Sequence, residues 1–484
     1  MRSRSRPIAA VLPTSNQHGR LTVLGLPLPV LFWAAVGAVF IGVAYTLSPM
    51  TIWFGLAMAP LFSYAGRGLS DRERRWVLGT LAVALILRVL AIAGFFLLTD
   101  HTYKHDSFSV LIGDETTVKM HSFWLRNVWL EIPVSPLQFS KAFTDYGSKA
   151  YHHWLAFLQV LLGPMPYGVH LLNTGLFLAG AVMLHRMIRH AYGSLPALWG
   201  FSTLLFLPTL FVWSISALKE SLFFFLTVMA LVAAVKVVRI DAWSKRLLAL
   251  AVSVGAVGAI SSLRLGAFAM TVSTIAIGFV AWFITRRVWL LVACLLFALA
   301  AGGVVLNQSD IQDRIADQLR GVAQKHIGHV DTPGYYYKLL DQRFYHYNEV
   351  RPPVASMTTP EVLRFVVRAA LSFVIVPLPW QVSSWPALAY LSEQVIWCIL
   401  MGLATIGFPV GLRKDPLITG ILVGYILAGS AVVALTSGNI GTMVRHRDMI
   451  VPYVAMLSAL GAYSVLMRLV QRTRNDGAED SVAT

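Results

Sequence analysis

GAFAMTVSTIAIGFVAWFITRRVWLLVACLLFALAAGGVVLN, residues 266–307, carries no charged side chain except Arg286 and Arg287. A helix that crosses a bilayer needs roughly 20 consecutive apolar residues. Two such runs, 266–284 and 288–306, flank the arginine pair. Hydrocarbon offers backbone amides no hydrogen bonds, so both runs are expected to be helices. The tight turn with its two guanidinium groups then belongs inside the cell, where Lys and Arg collect.

The same reading extends in both directions. Further apolar runs lie near 28–48, 50–66, 76–98, 167–187, 196–213, 219–237, 247–263, 387–411, 416–436 and 449–468. The expected fold is an all-α polytopic membrane protein with about 12 transmembrane helices. Composition agrees: of 484 residues, 57% are hydrophobic and 13% charged, and mean hydropathy is +0.66. A soluble domain carries about 25% charged residues, enough to cover a wet surface, and this chain does not. The formal charge of +16 is assigned to cytoplasmic loops, and nucleic acid is not expected as a partner. Cys294 and Cys398 both fall in apolar runs, so no disulfide framework is expected.

Placing the amino terminus inside puts a large excess of Lys and Arg on the cytoplasmic side. Two long polar stretches, 99–166 and 307–386, then lie outside, with acids and bases nearly in balance. Glu361–Trp380 is apolar enough to suggest another span. However, Arg364 and Arg368 lie one turn apart, and Pro377 and Pro379 interrupt it. Reading it as an interfacial or re-entrant helix keeps Arg413, Lys414, Arg468, Arg472 and Arg474 inside. The expected organisation is a basic cytoplasmic tail (1–27) and an amino-terminal hairpin (28–66), retained and not cleaved as a signal peptide. A transmembrane core (76–306) with its outer loop 99–166 follows, then the second outer loop (307–386). Carboxy-terminal helices (387–468) and a cytoplasmic tail (469–484) complete it. In a bacterium this is an inner-membrane protein with two large periplasmic loops and both termini cytoplasmic.

Charged groups at membrane depth are costly and are functional candidates by default. Here most collect near the outer face. Asp114 and Glu115 belong to the first outer loop. Lys219 and Glu220 open the sixth run, and Arg264 follows the seventh. Glu393 sits about two turns inside the tenth, and Arg445, Arg447 and Asp448 precede the last. Arg88, halfway through the third, is the exception. A carboxylate can take a proton from an attacking hydroxyl, and arginine presents a planar fork of donors suited to phosphate. The combination fits chemistry on a lipid-linked phosphate. Blander readings fit each group singly: a solvated acidic pair, a flanked helix end, headgroup anchors, and a structural partner for Arg88.

Neither GxxxxGK[ST] nor a strand followed by GxGxxG is present, so no nucleotide site is expected. The sequence names no cofactor. His152–His153 and His326/His329 lack accompanying ligands at a metal-binding spacing, and a divalent metal is not indicated. Tyr335, Tyr336, Tyr337, Tyr345 and Tyr347 fit either a membrane-interface belt or stacking on sugars.

Three stretches carry a family resemblance. The first is GDE at Gly113–Glu115. The second runs from DYGSKAYHHWLAFLQVLLGPMPYGVHLLNTGLFLAG to LPTLFVWSISALKESLFFFL. The third is IVPLPW, a glutamate in the next span, and GNIGTMVRHRDMIVP before the last helix. In these the chain resembles the polytopic glycosyltransferases of the GT-C fold, especially the bacterial mannosyltransferase-like and arabinosyltransferase-like branch. It departs in placing the acidic loop after the third span and not the first, which an added amino-terminal hairpin explains.

The resemblance implies a polyprenyl-phosphate-linked sugar as donor and a periplasmic polysaccharide or lipid of the cell envelope as acceptor. It implies Asp114 or Glu115 as the base. Arg445 and Arg447, with Lys219 or Arg264, would bind the donor phosphate, supported by Glu220 and Glu393. The rival expectations are a polysaccharide polymerase or ligase using a polyprenyl-diphosphate glycan, and a transporter or flippase of lipid-linked sugar.

Overall fold

The computed structural model describes residues 22–23, 26–99, 114–144, 149–264, 266–286, 288–330, 337–345, 354–381 and 385–482. Several residues named above lie outside these: Gly113, Arg287, and Tyr335, Tyr336 and Tyr347, as does most of the basic tail 1–27. Apart from a two-residue antiparallel pairing of β1 (Thr22–Val23) with β2 (Leu26–Pro27), the regular structure is helical.

In chain order, α1 (Leu28–Leu47), α2 (Met50–Gly66) and α3 (Asp71–Leu98) precede a first polar region. That region contains α4 (Asp114–Trp129), α5 (Pro136–Ala142) and α6 (Lys149–Leu162). Then come α7 (Gly168–Tyr192), α8 (Ser194–Phe206), α9 (Pro208–Ser214), α10 (Glu220–Arg239), α11 (Trp243–Leu263), α12 (Ala267–Ile284) and α13 (Val288–Asn307). The second polar region holds α14 (Ser309–Val330) and α15 (Thr359–Ile375). Last are α16 (Trp385–Lys414), α17 (Pro416–Thr436), α18 (Ile440–Arg447) and α19 (Val451–Val482).

The chain is a polytopic helical membrane protein. Among the described residues eight helices are long and apolar enough to cross a membrane, or nine if the pair α8–α9, bent by 64°, is one span. Each apolar run in the sequence is helical. Those at α1, α2 and α13 are not among the eight or nine, so the structure by itself counts fewer spans than the twelve expected.

Local chemistry sets the boundaries. Ser70 caps α3 by accepting from the Glu73 amide, and Asp415 caps α17 by accepting from Ile418, with Pro416 in the first turn. A capping box of Thr358 and Glu361 starts α15. Between α11 and α12, Gly266 adopts φ +82°, a left-handed conformation that suits glycine.

About two-thirds of α7, α10 and α17 is buried within the protein, so these form the centre. Helices α16 and α19 approach closely. A Cβ on Gly407 would strike the Leu457 carbonyl, and one on Gly461 the Leu403 carbonyl. Small residues let helices pack this closely where no hydrophobic effect drives them together.

The 17-residue α15 stops at Val376, packs against α17, and buries Val362, Phe365, Ala369 and Phe373, with Phe365 beside His326 of α14 and Phe373 beside Trp397 of α16. Its exposed side carries Arg364 and Arg368, both paired with Asp341 at 3.3 and 3.2 Å.

Candidate functional site

The site begins with a break in the helical chain. Pro208 cannot donate the bond that would continue α8, and the chain bends there. After α9 it leaves helical geometry again over Ile215–Lys219 before α10 begins at Glu220. Non-helical backbone at membrane depth must find its hydrogen bonds within the protein.

Here α7 supplies most of them. Asn173 Nδ2 donates to the carbonyls of Ser216 (2.6 Å) and Leu218 (2.7 Å). His170 Nδ1 bonds the Ile215 carbonyl at 2.8 Å, and Thr174 donates to Ser214 O at 3.2 Å. From α6, the buried Tyr151 hydroxyl donates to Ala217 O at 3.3 Å. From α4, Glu115 Oε2 accepts the Ala217 N–H at 3.1 Å. Arg88 secures the other end: it donates to Ser214 Oγ (2.7 Å) and to the Leu205 carbonyl (2.9 Å), with Phe177 and Phe211 against its guanidinium.

That network holds a charged cluster in register. Arg445, on α18, reaches both Asp114 at the start of α4 and Glu220 at the start of α10, the latter at 3.0 Å. Its guanidinium lies 4.7 Å from the Trp213 ring. Burial disfavours the charge on Arg445, but the fields of Glu220 and Asp114 outweigh it and raise its pKa. Arg264 enters from the α11–α12 turn and acts electrostatically on Glu220 and Arg445. Burial lowers its pKa, and its Nη1 donates to Met449 Sδ at 2.8 Å. Among the described residues Arg264 makes no ion pair. Lys219 also acts on Glu220. His446 lies within the field of Arg264, Arg445, His329 and Lys219. Burial and then those cations push its pKa well below the usual value. It is therefore neutral at pH 7.

The two members of the acidic pair separate. The Asp114 side chain is 70% exposed at the rim. Glu115 is 1% exposed and faces inward, 3.3 Å from His170 Nε2 and 3.4 Å from Lys119 Nζ.

Arg447 separates from Arg445 in the same way, because residues two apart on a helix do not share a face. Arg447 donates to Gln394 Oε1 (2.6 Å) and to the Val376 carbonyl, between the rings of Phe373 and Trp397. Burial lowers its pKa to about 10. The structure thus does not bring Arg445 and Arg447 to one phosphate.

Glu393 and Asp448 form a second acidic locus on Arg447's side. Asp448 Oδ1 accepts from Thr209 at 3.0 Å, and burial followed by the field of Glu393 raises its pKa well above the usual range. The described tyrosines are packing groups. The Tyr345 hydroxyl meets His326 Nε2 at 3.0 Å and accepts from the Leu339 and Leu340 amides, and Tyr337 is buried. His152 is buried and His153 bonds the Lys149 carbonyl at 2.8 Å. No group of three or more His, Cys, Asp or Glu is placed to hold a metal ion among the described residues.

Sequence reading did not single out His170, Asn173, Thr174, Tyr151, Trp213 or His446. The signal for the α7 trio was HLLNT, in which polar side chains at i, i+3 and i+4 share one face of an otherwise apolar run. Compared with protein-family models, curated proteins and solved structures, the chain matches none.

Chemically the cluster pairs an exposed carboxylate, Asp114, with a guanidinium it shares with Glu220. Behind them Arg264 and Lys219 tip the balance to positive. Such a place can bind an anion and take up a proton at its rim.

Proposed function

We propose that this chain is a GT-C-like membrane glycosyltransferase. It would move a sugar from a polyprenyl-phosphate donor to a polysaccharide or lipid acceptor in the bacterial cell envelope. The observation that carries the reading is the bridging of Asp114 and Glu220 by Arg445, with Arg264 behind them, in the field of Glu220 and making no ion pair among the described residues. Asp114 is the base. It accepts the proton of the acceptor hydroxyl as that oxygen bonds to the anomeric carbon, and the bond from that carbon to the donor phosphate oxygen breaks. The electron pair leaves with the phosphate. Arg445, Arg264 and Lys219 stabilise the developing charge there, which is the kind of interaction that contributes most to catalysis. An incoming phosphate competes with Asp114 for Arg445 and so releases the base.

Arg447 and Glu393 support the arrangement and do not touch the donor in this reading. The proposed topology adds α1, α2 and α13 to the nine spans, twelve in all. Both termini lie in the cytoplasm of an inner-membrane protein, and the cluster faces the periplasm.

Purified protein given a synthetic polyprenyl-phosphate sugar and envelope glycan acceptors tests it by mass spectrometry. A product heavier by one sugar, absent with Asp114→Asn, is the expected result. A ladder of products points to a polymerase. Movement of lipid-linked sugar across vesicles with no new glycosidic bond points to a flippase, and either outcome refutes the transferase reading.

A further inference from the structure

A second feature lies at the opposite end of the central helices. Glu73 at the start of α3 pairs with Arg189 near the end of α7, at 2.9 Å, whereas the charged cluster meets the beginning of α7 through His170. Along α7 the two contacts, at His170 and Arg189, are about 28 Å apart.

At that far end one face of α3 is unlike the rest. Val77, Leu81, Ala84 and Arg88 are buried and mark its inner face. Arg72, Arg75, Trp76, Gly79 and Val83 recur at the spacing of a single stripe on the other side. Together with Phe206 from the end of α8 they line an open groove of about 720 Å³. From Arg72 to Val83 it runs about 16 Å along the helix. Trp76 is 61% and Val83 50% exposed, so its walls are apolar. A Cβ on Gly79 would meet nothing within 4 Å, so the missing side chain deepens the groove.

The head of the groove is cationic. Among the described residues neither Arg72 nor Arg75 forms an ion pair; Arg75 Nε reaches only the Asp71 carbonyl, at 3.4 Å. Two arginines of α7 differ. Arg189 is committed to Glu73, and Arg186 to the carbonyls of Tyr64 and Arg67, both at 2.8 Å.

We propose that this groove binds one anionic phospholipid, its phosphate held by Arg72 and Arg75 and one acyl chain lying along Gly79 and Val83 against Phe206. Charge selects the lipid. Two guanidinium groups without a carboxylate partner among the described residues complement a net negative headgroup, and a zwitterionic headgroup brings its own ammonium into their field. Guanidinium also supplies the fork of donors that a phosphodiester accepts, and an exposed Trp76 suits the headgroup level. The site is independent of the transferase reading.

Native mass spectrometry of the purified full chain, titrated with phosphatidylglycerol or phosphatidylcholine, tests it. At roughly fivefold per basic residue, two arginines give a preference of about thirtyfold for phosphatidylglycerol. Arg72→Gln with Arg75→Gln abolishes that preference, while lysine at both positions retains most of it. Gly79→Leu fills the groove without a clash, improves helix propensity, and weakens binding of both lipids. Equal affinity of the native chain for the two lipids overturns the proposal. So does an unchanged preference in the double glutamine variant, or unchanged binding in Gly79→Leu.

Discussion

Arg445→Lys is the sharpest test of the cluster. The guanidinium makes two directed contacts, to Asp114 and to Glu220 at 3.0 Å, and lies 4.7 Å from the Trp213 ring. An ammonium is a single point charge and can satisfy one carboxylate well. The pair with Asp114 counts for little in stability, since that side chain is 70% exposed and exposed pairs contribute about 0–1 kcal/mol. The contact with Glu220, only 11% exposed, contributes more, as charge-assisted bonds stabilise by about 1.5–3 kcal/mol. In the proposed reaction, losing one such donor to the departing phosphate should lower turnover about 10- to 100-fold, which corresponds to roughly 1.4–2.7 kcal/mol of barrier. The assay is single-sugar transfer by purified protein at saturating donor, with helix content and abundance as controls. Arg447→Lys is the paired control. It disturbs contacts to Gln394 and Val376, so it should lower stability and leave turnover per folded molecule near normal. Wild-type turnover in Arg445→Lys, or equal losses in both variants, would refute the reasoning.

Further outcomes are expected. Asp114→Asn should cut transfer about 10²–10⁴-fold with abundance unchanged. Glu115→Ala orphans the buried Ala217 amide and should instead cost about 1–3 kcal/mol of stability, read by thermal denaturation in detergent. Burial holds the His326 pKa to about 4, against 6.5 when unfolded. The unfolded chain therefore binds the extra proton between these values, and stability is lost as pH falls from 6.5 toward 4. The loss is about 2 kcal/mol by pH 5, and His326→Gln should flatten that part of the profile. A reporter active only in the periplasm should work when fused after Ser140 and stay silent after Arg413; activity at Arg413 would overturn the proposed topology.

The helices were legible in the sequence because a span is a one-dimensional property: length and apolarity along the chain fix it. The Gly266–Asn307 run needed nothing more, and α12 and α13 flank its arginines. Where charged groups fall along a span was legible for the same reason. Direction around a helix axis was not. Arg445 and Arg447 stand two residues apart and read as a pair, yet α18 sends one to Glu220 and the other to Gln394. Asp114 and Glu115 are adjacent, and the first turn of α4 puts one in solvent and the other against His170. Such azimuths depend on distant helices that leave no mark in local spacing.

The broken segment gives a physical reason for the site's location. An unbroken α9–α10 helix would satisfy its own backbone and need no polar residues from α7. Leaving helical geometry over Ile215–Lys219 exposes carbonyls that would each cost several kcal/mol in hydrocarbon. Asn173, His170, Tyr151 and Glu115 offset that cost with directed bonds. In return the start of α10 is set inside the protein, with Glu220 aimed at Arg445 and Lys219 beside it. The same bonds hold the position of α4, because Glu115 grips the Ala217 amide while its neighbour Asp114 meets Arg445. Asp114 and Glu220 are thus placed relative to each other by one buried network, although 102 residues of chain separate Glu115 from the amide it holds. An Asn173→Leu chain would keep every charged residue of the cluster and still lose its alignment.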